Sequence, residues 1–325
     1  MSEFKKFTSI EKFSDVWFKA QKYCVGEFKL RSKIKLHGTN GAIRIVDGVV
    51  AAQKRTSDVT PLSDNAGFAF WATNINWKTE QNVIIYGEWA GPGVQKSDAI
   101  SLTDRKRFYV FGVLLLGPNG LLDDNDGKYV VEPRLIAPYL PESPDIVVLP
   151  WFDEPMYINT DFVSTAKDIQ EKLEVQVCGI GDEDPFVKTM FGISGSGEGL
   201  VVAPYDESGI VNLSFYNSYV FKVKSEAHSA KKTKSPASVF VEVPDSVIDF
   251  AKSFVTDVRC QQMIDEHCEG SMSPKVIGNF LKNINADILK ESTNELAGMD
   301  VEWKSVAKEI NKRAVAWFNI KNKIQ

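Results

Sequence analysis

Apolar residues recur at Phe13, Val16, Trp17, Ala20 and Cys24, the spacing of a single helix face, so residues 12–24 are expected to form an amphipathic helix. The period then changes. Phe28, Leu30, Ser32 and Ile34 alternate with charged residues along a strand that breaks at Gly38. Residues 42–46, the Asp47-Gly48 pair and the apolar run after it read as a hairpin. Further strand-like runs cover 83–89, 108–116, 129–131, 146–149, 200–202 and 219–223, with a short helix over 166–175. Asp184-Pro185 reads as a helix start, the aspartate capping and the proline in the first turn. Strands dominate to about residue 235 without regular βαβ alternation, which favours antiparallel sheets. Residues 244–266, 274–290 and 301–320 then show helical spacing, with Asp245 and Ser273-Pro274 as starts. The polar, basic stretch 231–236 separates the two textures. An α+β domain over 1–236 and an all-α domain over 237–325 are therefore expected.

Composition narrows the class only a little. With 325 residues, 43% of them hydrophobic, the chain is long enough to bury a substantial core. No apolar run is long enough for a membrane span, and the mixed-charge start at Met1–Lys6 does not read as a signal peptide. The four cysteines, Cys24, Cys178, Cys260 and Cys268, show no CxxC spacing, which argues against a disulfide framework or a zinc cluster. We therefore expect a cytoplasmic protein, monomeric and free of membrane. The net charge of −5 does not exclude a local basic channel, because phosphate binding depends on where the cations cluster. Residues 221–235 hold five lysines against one glutamate, and the final segment from Val301 is also basic, although such runs are usually solvated surface.

The densest chemistry lies in Lys33-Ile34-Lys35-Leu36-His37-Gly38-Thr39-Asn40-Gly41. Lys33 and Lys35 share a strand face just before a glycine-rich turn. Alone, a Lys-x-x-Gly tetrapeptide is weak, and a strand-end lysine is more often an edge charge than a nucleophile. Its company raises the odds. Lys54-Arg55-Thr56 follows the second strand. Glu88 enters the turn Ala90-Gly91-Pro92-Gly93, Phe108–Phe111 forms an aromatic strand, Gly195–Gly199 sets Glu198 at a strand start, and Lys222 and Lys224 alternate on a late strand. By contrast, Asp123–Gly127 puts Leu122 at the first ligand position of a calcium loop and Pro133 where the glutamate belongs, so it reads as a hairpin turn. His267-Cys268 has no second ligand pair nearby.

This order of motifs resembles the RNA ligase 2-like family of the covalent nucleotidyltransferase superfamily, which includes a phage nick-sealing RNA ligase and the kinetoplastid RNA-editing ligases. The resemblance covers nearly the whole chain. It implies an ATP-grasp-like nucleotidyltransferase domain of mainly antiparallel sheets with flanking helices, followed by helices. It implies an enzyme that joins RNA 3′-hydroxyl and 5′-phosphate ends, sealing nicks in duplex RNA, with ATP and Mg²⁺. Lys35 would take AMP, and Glu198 would hold the metal through water. Lys222 and Lys224 would be catalytic and touch the nucleotide. Glu88 would bind the ribose, Phe111 would stack on adenine and Val201 would close its other face. Ile34, Leu36, His37, Asn40 and Arg55 would complete the nucleotide site. A lysine with a reference pKa of about 10.4 must lose its proton before it attacks, and nearby cations favour that. Three positions depart from the family. Ile34 stands where a glutamate is common, Gly112 where an aspartate is usual, and Ala203 where a basic residue is typical, so that one phosphate contact is either missing or supplied from elsewhere, as by Lys96 or Lys188. The rivals are a DNA ligase, a GTP-using capping enzyme and a non-catalytic RNA-binding relative.

Overall fold

The computed structural model describes residues 4–324 apart from 65, 78, 80, 123–126, 229–242, 298 and 300. The expected turn at 123–126 and the basic segment 231–236 therefore lie outside the described residues. The described strands are β1 (Glu27–Lys35), β2 (Thr39–Val46), β3 (Val49–Lys54), β4 (Ser57–Val59), β5 (Val83–Ala90), β6 (Arg107–Leu115), β7 (Lys128–Val130), β8 (Ile146–Val148), β9 (Met156–Asn159), β10 (Gly199–Tyr205), β11 (Ile210–Asn212) and β12 (Phe221–Lys224). The helices are α1 (Phe13–Lys22), α2 (Phe68–Thr73), α3 (Pro133–Ile136), α4 (Val163–Asp182), α5 (Pro185–Phe191), α6 (Leu213–Tyr219), α7 (Asp245–Phe254), α8 (Asp257–His267), α9 (Ile277–Glu291), α10 (Thr293–Ala297) and α11 (Trp303–Ile324).

The chain forms two compact units. The first comprises Met1–Val16, Phe28–Tyr157 and Ile169–Lys234; the second comprises Trp17–Glu27, Ile158–Asp168 and Ser235–Gln325. In the first unit, one sheet runs β11-β7-β6-β5-β2-β3-β4 with β8 also on β6, and the other runs β12-β10-β1-β9. Pairing is antiparallel in the main, as the missing βαβ alternation implied, with β8 parallel to β6. β5 is almost wholly buried because both of its faces are covered. Val83, Ile85 and Trp89 pack with α2, while Ile84 and Tyr86 join a cluster that includes Ala203 of β10. Glu88 keeps the parity of Ile84 and Tyr86, so β5 delivers its carboxylate to the space between the sheets. The hairpin at Asp47-Gly48 forms as expected, with φ of 50° and 76° at the two turn residues.

β6 departs from simple alternation. Its register against β5 shifts from Tyr86↔Gly112 to Gly87↔Val110, leaving Phe111 as the extra residue of a bulge. The bulge flips the strand's parity: Phe108, Val110 and Val113 pack on the α2 side, and Phe111 and Leu114 on the other. Gly112 is forced by packing, since a Cβ there would lie 2.1 Å from the Tyr129 hydroxyl oxygen. An aspartate has no room at that position.

Two expected helices differ in extent. The one over 166–175 is the 20-residue α4, and Asp184 then caps α5 by accepting from the Phe186 and Val187 N–H groups. The one over 244–266 divides into α7 and α8 at Thr256, whose extended backbone and side-chain oxygen cap the Arg259 N–H. In the second unit α7, α8, α9 and α11 enclose an apolar core that includes Phe250, Met263, Phe280, Ile284, Ile310 and Phe318.

Candidate active site

Strand register brings the charged residues together. Lys35 stands opposite Gly199 and Gly199 opposite Lys224; one row on, Lys33 faces Val201 and Val201 faces Lys222. Gly199 adopts φ +144°, and a Cβ there would strike the Val223 carbonyl at 2.1 Å. With no side chain between them, the two lysines of its row converge on the preceding residue. Lys35 Nζ donates to Glu198 Oε2 at 2.6 Å, and Lys224 Nζ lies 2.8 Å from Oε1. Glu198 is 4% exposed, and burial pushes its pKa up, but the two ammonium groups outweigh burial and hold it below the usual range. The Lys222 pKa is lowered, first by burial and then by the charges of Lys224, Lys35 and Arg55. Two lysines thus pair with one buried acid while Lys222 lies close enough to feel both of their charges, a local excess of positive charge suited to phosphate.

Lys35 also lines a partly open cavity whose space, counting the solvent at its mouth, is about 650 Å³. Ile34, Leu36, Asn40, Glu88, Phe111 and Val201 line the same cavity. Phe111 reaches it because the bulge aims its ring there. Glu88 Oε1 accepts from the Gly38 N–H at 3.2 Å, an approach possible only because a Cβ on Gly38 would sit 2.4 Å from the Trp89 carbonyl oxygen. Burial pushes the Glu88 pKa up to about 7; Lys35 and the Gly38 N–H pull it down, and the Glu198 charge adds to the rise. The buried, ionised carboxylate of Glu198 suits a hard divalent cation with oxygen ligands. Glu198 would hold it, and it would offset charge on phosphate oxygens.

Glu198, Lys222 and Lys224 cluster at the Lys35 end of the cavity without lining it. His37 and Arg55 do not line it either. His37 Nδ1 faces Asp98, and the exposed Arg55 donates to Ser9 Oγ at 2.9 Å. Lys96 and Lys188 are also absent from the lining; Lys188 instead pairs with Glu183 and Ser194. Besides the neighbouring cations expected to favour its neutral form, Lys35 has an acid for a partner. Its amine is bound to an acid and must let go of Glu198 to attack.

Sequence reading missed part of the lining, including Phe7, Leu149, Trp151 and Tyr216. Each is an apolar or aromatic residue with nothing local to mark it. Lys33 lines the cavity too, but as a buried group: 6% exposed, it donates to the carbonyls of Phe111 and Val131 at 3.0 and 2.9 Å and lies 4.6 Å from the centre of the Trp151 ring. Burial lowers its pKa to about 7.

Among solved structures, the chain is similar to a Naegleria gruberi RNA ligase mutant with ATP and Mn, at 15% identity and a TM-score of 0.41, covering 70% of this chain and 59% of that one. An apo mutant of that ligase matches at 17% identity and a TM-score of 0.43, with 70% and 58% covered. A third, with AMP and Mn, matches at 15% identity and 0.39, with 70% and 59% covered. The chain thus spans less than two thirds of these relatives' length. The RNA ligase family model matches residues 32–224, more than half of the 325 residues and the whole span from the strand of Lys35 to Lys224; the chain belongs to the RNA ligase family.

Proposed function

We propose that this protein is an ATP-dependent RNA ligase that joins RNA 3′-hydroxyl and 5′-phosphate ends, with nicked duplex RNA as its substrate. One observation carries the reading. Lys35 and Lys224 pair with Glu198, with Lys222 within reach of their charges, at the end of a cavity that also presents Glu88, Phe111 and Val201. Adenine fits between Phe111 and Val201, the ribose hydroxyls donate to Glu88, and the phosphates extend toward the lysines. Lys35, released from Glu198 and deprotonated, attacks the α-phosphorus of ATP. An N–P bond forms as the bond to the bridging oxygen breaks, and pyrophosphate leaves with that electron pair. Lys222 and Lys224 offset the charge on the phosphoryl oxygens. A divalent cation such as Mg²⁺ beside Glu198 would supply further neutralisation. AMP then passes from the lysine to an RNA 5′-phosphate, and a 3′-hydroxyl displaces it to form the phosphodiester.

Lys33 is the rival nucleophile, since burial lowers the pKa of its amine to about 7. Its bonds to two carbonyls and its burial favour a structural part, whereas Lys35 adjoins the other lysines. The test incubates the full chain with α-labelled ATP or GTP and Mg²⁺, maps any acid-stable adduct, and then adds nicked RNA and nicked DNA duplexes. An AMP adduct on Lys35 that chases into sealed RNA is the expected result. An adduct on Lys33, a preference for GTP, or faster sealing of DNA would each overturn the corresponding part.

A further inference from the structure

His37 and a second histidine meet at a buried acid outside the cavity. His37 lies in the turn between β1 and β2, Asp98 in the connection between β5 and β6, and His228 in the 3₁₀ turn Glu226–His228 that follows β12. One donor atom from each lies within 4.8 Å of the other two. His228 Nε2 is 2.9 Å from Asp98 Oδ1, which also accepts from Ser196 Oγ at 3.3 Å. His37 Nδ1 is 2.8 Å from Asp98 Oδ2, yet the approach lies outside hydrogen-bonding geometry, and both buried atoms are left without a hydrogen-bond partner. Asp98 is 3% exposed, and among the described residues its ion-pair partners are the two imidazoles, with no lysine or arginine. Asp184 is close enough for the Asp98 charge to add to the rise in pKa that burial gives it. The pocket is therefore short of a fixed positive charge.

We propose that His37, Asp98 and His228 form a binding site for a divalent transition-metal ion of the zinc type, separate from the cation beside Glu198. A carboxylate oxygen and an imidazole nitrogen that face each other without sharing a proton leave two lone pairs directed at common space, and a cation satisfies both. Adjacent ligands about 2.0–2.1 Å from a metal stand about 2.8–3.4 Å apart between octahedral and tetrahedral angles, and the imidazole–carboxylate contacts of 2.8 and 2.9 Å lie at the short end of that range. Two imidazoles with one carboxylate select zinc, manganese, iron or cobalt over magnesium, whose preference is for oxygen. The partly exposed His37 leaves a side open to water. The site ties the turn after Lys35 to the turn after Lys224, so loading it fixes the strand ends that carry both lysines. This inference stands on its own geometry and does not depend on the proposed ligase activity.

The test strips the full-length protein of metal and titrates it with Co²⁺, followed by visible absorption, with Zn²⁺ as competitor. One equivalent of Co²⁺ should bind, and Zn²⁺ should displace it. Asp98→Asn and His228→Ala should each weaken that equivalent at least tenfold, while Glu198→Gln keeps it. His228→Cys supplies a thiolate in place of the imidazole and should add a sulfur-to-cobalt charge-transfer band, a gained signal that requires folded protein. Failure of the unmodified chain to bind Co²⁺, unchanged affinity in folded His228→Ala, or a folded His228→Cys protein without the band would overturn the site in favour of a hydrogen-bonded histidine–aspartate cluster.

Discussion

Each unit of this chain buries an acid against two cations, and only one of the two arrangements reads as a site. In the first unit, Glu198 takes Lys35 and Lys224. In the second, Asp161 takes Arg313 at 2.6 Å and Lys252 at 2.5 Å, while Arg313 and Lys312 also pair with Glu309. Burial pushes the Asp161 pKa up, but its bonds to Lys252 and Arg313 outweigh this and leave it lowered, as happens at Glu198. The pairing and the direction of the shift are therefore alike. What differs is the surroundings. The Asp161 network sets two acids against three cations, one of them an arginine whose charge is fixed. The Glu198 network has Lys222 close by, uses lysines that can give up a proton, and adjoins a cavity. A buried ion pair by itself marks structure; exchangeable charge beside open space marks chemistry.

The sharpest break of this comparison is Lys35→Ala, which should abolish adduct formation with ATP yet still seal RNA that is already adenylylated at its 5′ end. Adduct formed by that variant would remove Lys35 from its role. Next in size, Lys224→Ala and Glu198→Gln should each slow adenylylation about a hundredfold, the scale of losing an aimed charge. Single-turnover rates near those of the unmodified chain would make the Glu198 pair no more functional than that of Asp161. The matching change in the other network, Arg313→Ala, should cost about 2 kcal/mol of stability in urea unfolding, because Lys252 and Lys312 still pair with the two acids. Its adenylylation rate should stay within a few-fold, and a hundredfold loss in folded protein would erase the distinction.

Smaller effects follow from proton linkage. Glu88 must be ionised for both of its oxygens to accept from the ribose hydroxyls, and burial raises its pKa to about 7. Adenylylation should fall as pH drops below that value, by about tenfold per unit at the limit, and Glu88→Gln should flatten this limb of the profile. The smallest expected effect belongs to Lys33, whose folded pKa of about 7 lies below its unfolded value near 10.5. Its contribution to stability is present in full only above the unfolded value and is lost as pH falls through the folded one. Lys33→Met should therefore gain about 1–2 kcal/mol of stability at pH 6, after allowing about 3 kcal/mol for two carbonyls left without a donor, and lose about 2 kcal/mol at pH 10, where that allowance outweighs the small remaining penalty. An equal gain at both pH values would show that Lys33 does not titrate in the folded protein.

How much was legible varied with the locality of the signal. The hairpin at Asp47-Gly48, the Asp184 cap and the helix face of Phe13, Val16, Trp17 and Ala20 each depend on neighbours a few residues away, and the pattern records them. Motif order pointed to the lysines of β1 and β12 and to Glu88, Phe111 and Glu198, because the residue types a nucleotide demands recur in sequence. Alternation along β6 gave no notice of the bulge at Phe111, since a bulge is a property of register against β5. The Gly112 departure likewise made no sense until the Tyr129 ring occupied its space.

The sequence by itself determined which elements form and where chemistry concentrates, because helix and strand periods and turn residues act over a few positions along the chain. Tertiary structure decided what each charged residue does. Lys33 and Lys35 lie two residues apart on one strand face, yet one bonds two carbonyls in the cavity wall and the other pairs with an acid 163 residues away. His37, read as a nucleotide contact, turns instead toward Asp98 and His228. A side chain's protonation, partners and access follow from the dielectric and the charges packed around it, and most of those arrive from distant parts of the chain.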